Sequence, residues 1–131
     1  MSLKKELWMK YHLNFPIEGG HGENYADAVR ILLTNNLGIL LEKDIIACMF
    51  CNADYSFDLL KQRTLKQDDK QYDYLKVKLN DGEIKEVFFD ISEFFGKSLF
   101  KYYSRNGSEY AALLKQMTIR PSSEEEQGWF E

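Results

Sequence analysis

The chain has 131 residues and a net charge of −4; 44% of its residues are hydrophobic and 15% aromatic. That length suits one domain able to bury about two thirds of its unfolded surface, and so many rings argue against a disordered chain. Two cysteines are too few for a disulfide framework, and no apolar run, Ile45 to Cys51 included, approaches the roughly 20 residues of a membrane span.

The charge is uneven along the chain. Residues 1–17 carry +2, residues 18–58 carry −5, residues 59–119 carry +2 and residues 120–131 carry −3. Nucleic acid binding draws on clustered basic side chains. Here the conspicuous block is acidic, so a basic protein partner is the expectation and a nucleic acid is not. The polar start Met1-Ser2-Leu3-Lys4-Lys5-Glu6 has no apolar leader, so the expected compartment is the cytoplasm.

Taken in chain order, Leu7, Met9, Tyr11, Leu13, Phe15 and Ile17 alternate with polar residues. Period two predicts a half-buried strand over 7–17, ended or held at an edge by Pro16. The glycine-rich stretch Glu18 to Glu23 predicts a loop. Asn24 then suits the cap of a helix with Asp27 in its first turn, an apolar stripe of Val29, Leu32 and Leu33, and an end at Asn35-Asn36. A second helix, capped near Asp44 and running to about residue 52, precedes a turn at Asn52-Ala53-Asp54.

The region 55–91 predicts a three-stranded meander. Its turns are Gln67-Asp68-Asp69-Lys70 and Asn80-Asp81-Gly82; the latter is a strong hairpin signal because glycine adopts positive φ freely. Ser92 suits the cap of an aromatic helix carrying Phe94, Phe95, Leu99, Tyr102 and Tyr103, stopped by Asn106-Gly107. Ser108 then opens a short helix with Tyr110, Leu113, Leu114 and Met117. The expected whole is one α+β domain over 1–121. It has an antiparallel sheet of about four strands, the N-terminal strand plus the meander, packed on about four helices. An acidic tail follows over 122–131, carrying Trp129-Phe130.

Few residues suggest chemistry. Cys48 and Cys51 form a CxxC inside an apolar run, where two buried thiols are expected and not a redox pair. Those cysteines with His12 and His21 fit no zinc spacing, so no metal is expected. The glycine loop lacks the Lys and Ser/Thr of a phosphate cradle, and Glu18 and Glu23 would repel phosphate there. No nucleophile elbow occurs, no residue is assigned a catalytic role, and no cofactor is expected.

Three functions follow as expectations. The first is a non-enzymatic protein-binding module, an immunity or antitoxin type of inhibitor. It would meet a basic partner through Glu18, Glu23, Glu42, Asp44, Asp54 and Asp58. The second is a small enzyme or ligand-binding domain using the loop at His21, Glu23 and Asn24, with His21 and Glu23 as an acid–base pair. The third is a homodimeric accessory subunit, pairing through a strand edge at 7–15.

Overall fold

The structure, a computed structural model, describes residues 1–34, 37–96 and 108–119. The elements are α1 (Leu3–Tyr11), β1 (Ile17–Gly19), β2 (Val29–Ile31), α2 (Gly38–Phe50), β3 (Phe57–Gln67), β4 (Lys70–Leu79), β5 (Ile84–Asp90) and α3 (Ser108–Met117). The chain is α+β, with five strands in the order β1-β2-β5-β4-β3 and, among the described residues, three helices. The sheet is mixed: β2 lies parallel to β5, and the other neighbours are antiparallel. The all-antiparallel expectation fails at that one step, because residues 29–31 form a strand and not part of a helix.

The strand expected over 7–17 is a helix over most of its length. The Ser2 side chain accepts a hydrogen bond from the Lys5 N–H at 3.1 Å, capping α1. Glu6 and Lys10 sit at the ends that favour their charges. His12 closes the helix in the left-handed conformation, φ 56°, its N–H donating to the Trp8 carbonyl at 2.8 Å. Leu3 and Leu7 are buried and Tyr11 packs beside them, whereas Met9 is exposed. Positions 7 and 11 satisfy period two and the helical period alike; Leu3, four residues before Leu7, separates the two. The edge at 7–15 proposed for a homodimer is therefore not a strand.

The helix expected from Asn24 is also replaced. The Asn24 side chain accepts from the Asp27 N–H at 2.9 Å, closing a turn. Val29 and Ile31 then bury on one side of a strand while Arg30 faces the other way. Similarly, α2 begins at Gly38, six residues before the expected cap, so Asp44 is a buried mid-helix residue. It ends near the expected position, and Asn52 and Ala53, at φ 51° and 66°, turn the chain toward β3.

The meander forms as expected. Asp68 and Asp69 both take positive φ and make a two-residue turn. At the second turn the Leu79 N–H donates to the Glu83 carbonyl at 2.8 Å. Gly82 has φ 88° with open space around it, so this glycine serves conformation and not close packing. Ser92 opens no helix among the described residues. Its hydroxyl donates to Asp90 at 2.7 Å and accepts from the Gln71 N–H at 3.1 Å, tying β4 to the end of β5. Residues 92–96 form a turn. Leu99, Tyr102, Tyr103, the stop at Asn106-Gly107, the Asn35-Asn36 stop and the tail 122–131 lie outside the described residues.

One face of the sheet carries the core. Ile17, Ile31, Val29, Phe89, Val87, Leu75 and Val77 pack against Leu3 and Leu7 of α1, Leu41, Ile45 and Ile46 of α2, and Met117 of α3. Each such side chain contributes about 1.5–3 kcal/mol by leaving water. The opposite face has a ring cluster. Tyr25, from the loop after β1, meets Tyr72 and Phe88 with centroids 5.0 and 4.8 Å apart, and Tyr74 meets Phe88 at 5.2 Å. Among the described residues, no helix is long and apolar enough to cross a membrane.

Candidate functional site

A cleft of about 500 Å³ opens where α1, the end of α2, the loop after β1 and the start of β5 converge. Its floor is apolar: Leu3 and Leu7 from α1, and Cys48, Met49 and Phe50 from α2. Helical spacing puts Leu3, Glu6, Leu7 and Lys10 on one side of α1, so apolar floor and charged rim come from a single stretch. His21 and Glu23 reach the rim from the loop, and Lys85 and Glu86 from β5.

The loop is pinned from within. The His21 N–H donates to the Asp27 carboxylate at 3.3 Å, and the Gly22 N–H donates to the Asp27 carbonyl at 2.7 Å. The Gly22 carbonyl accepts from the Phe88 N–H at 2.8 Å, joining the loop to β5. Gly22 has φ 83°, and a Cβ there would stand 2.7 Å from a Val87 methyl. Glycine is required by both conformation and space.

The rim charges are mostly engaged. His21 Nε2 lies 2.7 Å from Glu6 Oε2, with both side chains about two-fifths exposed, at 38% and 45%. Its partner is Glu6, and not the Glu23 expected from the sequence. Lys85 pairs with Glu83 at 2.7 Å and sits 5.5 Å from the centre of the Phe50 ring. Lys10 donates to the Asn52 side-chain oxygen at 3.2 Å. The Tyr74 hydroxyl donates to Glu86 at 2.6 Å; this bond, with burial, pushes the phenol up to about 12. Glu23 has no partner of this kind. Burial pushes the Cys48 thiol up to about 11, helped by nearby Asp44. A thiol so placed is not a ready nucleophile. Cys48 is buried and Cys51 half-buried, and both are free.

The six acids expected to form one patch are scattered. Glu18, on β1, is paired to Arg30 at 2.6 Å, and Arg30 also pairs with Glu93 at 2.6 Å. Glu23 is on the cleft rim. Asp54 is exposed in the turn after α2, and Asp58 is exposed on β3 opposite Lys78. Glu42 and Asp44 are 1% and 7% exposed, so neither stands on the surface. Both are covered because α2 is buried round most of its circumference. Asn24 is exposed and holds the turn to Asp27.

Glu42 is unusual in another way. No donor reaches either of its oxygens, and its neighbour on β4 is another carboxyl, Asp73. Asp73 accepts from the Thr64 hydroxyl at 2.7 Å. Two adjacent carboxyls can share a hydrogen bond only while one keeps its proton. Burial, reinforced by Asp73, raises Glu42 well above the ordinary carboxylate range, so Glu42 is the one that keeps it.

Sequence reasoning missed Glu6, Lys10, Phe50 and Lys85 as cleft residues. The signal for the first two was present once 3–11 is read as a helix. Phe50 and Lys85 come together only through the packing of α2 beside β5, which no local pattern encodes. Among the described residues, no three His, Cys, Asp or Glu side chains gather as a metal site would need. Comparison of the chain with protein-family models, with curated proteins and with solved structures finds no match.

Proposed function

We propose that this protein is a non-enzymatic binding module that seats an apolar side chain of a basic protein partner in the cleft between α1 and α2. The observation that supports this reading is the apolar floor beneath a rim where Glu6, Glu23 and Glu86 alternate with Lys10, His21 and Lys85; both lysines are already engaged, by Asn52 and Glu83, whereas among the described residues Glu23 has no ion pair. A buried apolar anchor with a charged rim is the common anatomy of a protein-binding hot spot. An inhibitor of the immunity or antitoxin type, blocking a basic domain, would use such a surface. Of the acids proposed from the sequence, only Glu23 belongs to this version of the site.

The test is capture from native lysate by tagged wild-type protein and by a Met49→Asp/Glu23→Arg variant, read by mass spectrometry. A stoichiometric basic partner held by the wild type and lost by the variant supports the cleft. Equal capture by both eliminates it.

A second reading rests on the 2.7 Å contact between His21 and Glu6, an acid–base pair open to the cleft. On that reading native mass spectra of the purified protein carry a bound small molecule. His21→Gln releases it while leaving the melting temperature within a degree or two, as surface changes usually do. A ligand retained by His21→Gln removes this alternative.

A further inference from the structure

The ladder between β3 and β4 places Lys61 directly opposite Lys76. Directly opposed residues point to the same face of a sheet. The neighbours of Lys76 along the strand, Leu75 and Val77, are in the core, so Lys76 and Lys61 lie on the face away from the helices. Lys78 stands two residues beyond Lys76 on that face, and Arg63 two residues beyond Lys61, opposite Tyr74. Among the described residues, none of these four cations has an ion-pair partner. Lys61, Arg63 and Lys78 are exposed and Lys76 is half-exposed. Within the same rows stand two carboxylates, Asp58 opposite Lys78 and Glu86 opposite Lys76.

Like charges directly opposed weaken a sheet. Glu86, opposite Lys76 on the other side, offsets part of that repulsion, but Lys61 has no carboxylate opposite it. The next row along the sheet runs Arg63, Tyr74, Phe88, with the two rings 5.2 Å apart between centroids. Cations beside half-exposed rings are what a strand of bases and phosphates requires, charge for the backbone and aromatic surface for the bases; Tyr25 packs on Phe88 at 4.8 Å between centroids, so Tyr74 is the more open of the two rings. We propose that this open face of β3–β4–β5 binds single-stranded nucleic acid, with Lys61, Arg63, Lys76 and Lys78 on the phosphates and Tyr74 and Phe88 under the bases. The net charge of −4 concealed this, because the cations come from separate stretches of a balanced region and gather only when β3 folds against β4. An acidic peptide would satisfy the cations and leave the rings unused.

The four cations and the two rings are not cleft residues; Glu86, which lines the cleft and accepts from Tyr74, is common to both surfaces, so the lysine variants are the ones that test this site apart from the cleft. Labelled 12-residue single strands of mixed-sequence RNA and DNA are titrated with the full chain by fluorescence anisotropy, beside an equally long poly-glutamate peptide. Binding of a nucleic acid strand in the range of ~1–100 µM is expected, weakening with salt at a log–log slope of about −2 to −3, as for the counterions released when about three or four phosphates of a single strand are neutralised. A Lys61→Glu/Lys76→Glu variant should lose binding at least tenfold, and Tyr74→Leu/Phe88→Leu about fivefold or more. Because the ring variant alters packing, Lys61→Gln/Lys76→Gln is the control that leaves the rings intact, and it should lose affinity in part. The proposal is overturned by either of two results: no strand bound at 50 mM salt, or poly-glutamate bound as tightly with the ring substitutions silent.

Discussion

The two faces of the sheet treat charge in opposite ways. The helix-covered face takes in the neighbouring carboxyls Glu42 and Asp73, and burial keeps the proton on Glu42. The open face displays Lys61, Arg63, Lys76 and Lys78, two of them directly opposed, and among the described residues none of the four has an ion pair. Both arrangements cost stability, by different routes. Inside, the cost is desolvation of a group that keeps its proton; outside, it is repulsion damped by water. A buried mismatch is met by a change of protonation, whereas an exposed one persists as a standing charge that something else can use. This difference makes the open face the better candidate for function, and the inner carboxyl a matter of folding energy.

The contrast can be broken most forcefully at the inner face. Phe89 is fully buried at the centre of the core. Phe89→Ala should cost about 3–5 kcal/mol in denaturant unfolding. A loss below 1 kcal/mol would mean that the helices do not seal that face.

Glu42 offers a sharper test with the opposite sign. Its folded-state carboxyl is raised above the unfolded one, so the native state holds the extra proton. Stability therefore falls as pH rises above the ordinary carboxylate range, at up to about 1.4 kcal/mol per pH unit until the group ionises. Glu42→Leu removes that dependence. At pH 7 it should stabilise the fold by about 1–3 kcal/mol, since it removes a buried carboxyl set beside another and leaves Asp73 its bond from Thr64. A variant with the same pH slope as the wild type would show that Glu42 is not the group responsible.

Gly22→Ala tests the seam between the faces, where the loop from the cleft joins β5. It should cost about 1–2 kcal/mol through its positive φ and the Val87 methyl. It should also weaken any partner of the cleft, because His21 and Glu23 flank it. Unchanged stability would mean that the loop adapts freely.

Much of the meander was legible because its signals are local: alternation on β4 and β5, paired Asp at one turn and Gly82 at the other. The N-terminal third was misread for a physical reason. Alternating apolar residues from Leu7 to Ile17 contain the helical pair Leu7 and Tyr11, and only Ser2 and Leu3, outside the alternation, mark the helix start. Val29 and Ile31 carry a strand of three residues, too short for periodicity to register. The candidate site was legible at His21 and Glu23 alone, because a loop rich in glycine announces itself. Glu42 and Asp44 were read as surface acids because charge in a sequence carries no depth.

The smallest expected effect is also the one that most directly divides the two faces. Lys61→Glu replaces a repulsive pair with an attractive one across the ladder to Lys76. If that pair is a standing cost, the variant should be more stable than the wild type by about 0.2–1 kcal/mol at low salt. The gain should shrink as salt rises past roughly 0.15 M, where the screening length falls to about 8 Å. Thermal melts at two salt concentrations suffice to see it. A variant that is destabilised at low salt would mean the Lys61 stem contributes more by packing than its charge costs, and the opposed lysines would then be explained by folding alone. A variant that gains stability while losing strand binding would show one side chain kept against the interest of the fold, which is the mark of a residue retained for its ligand.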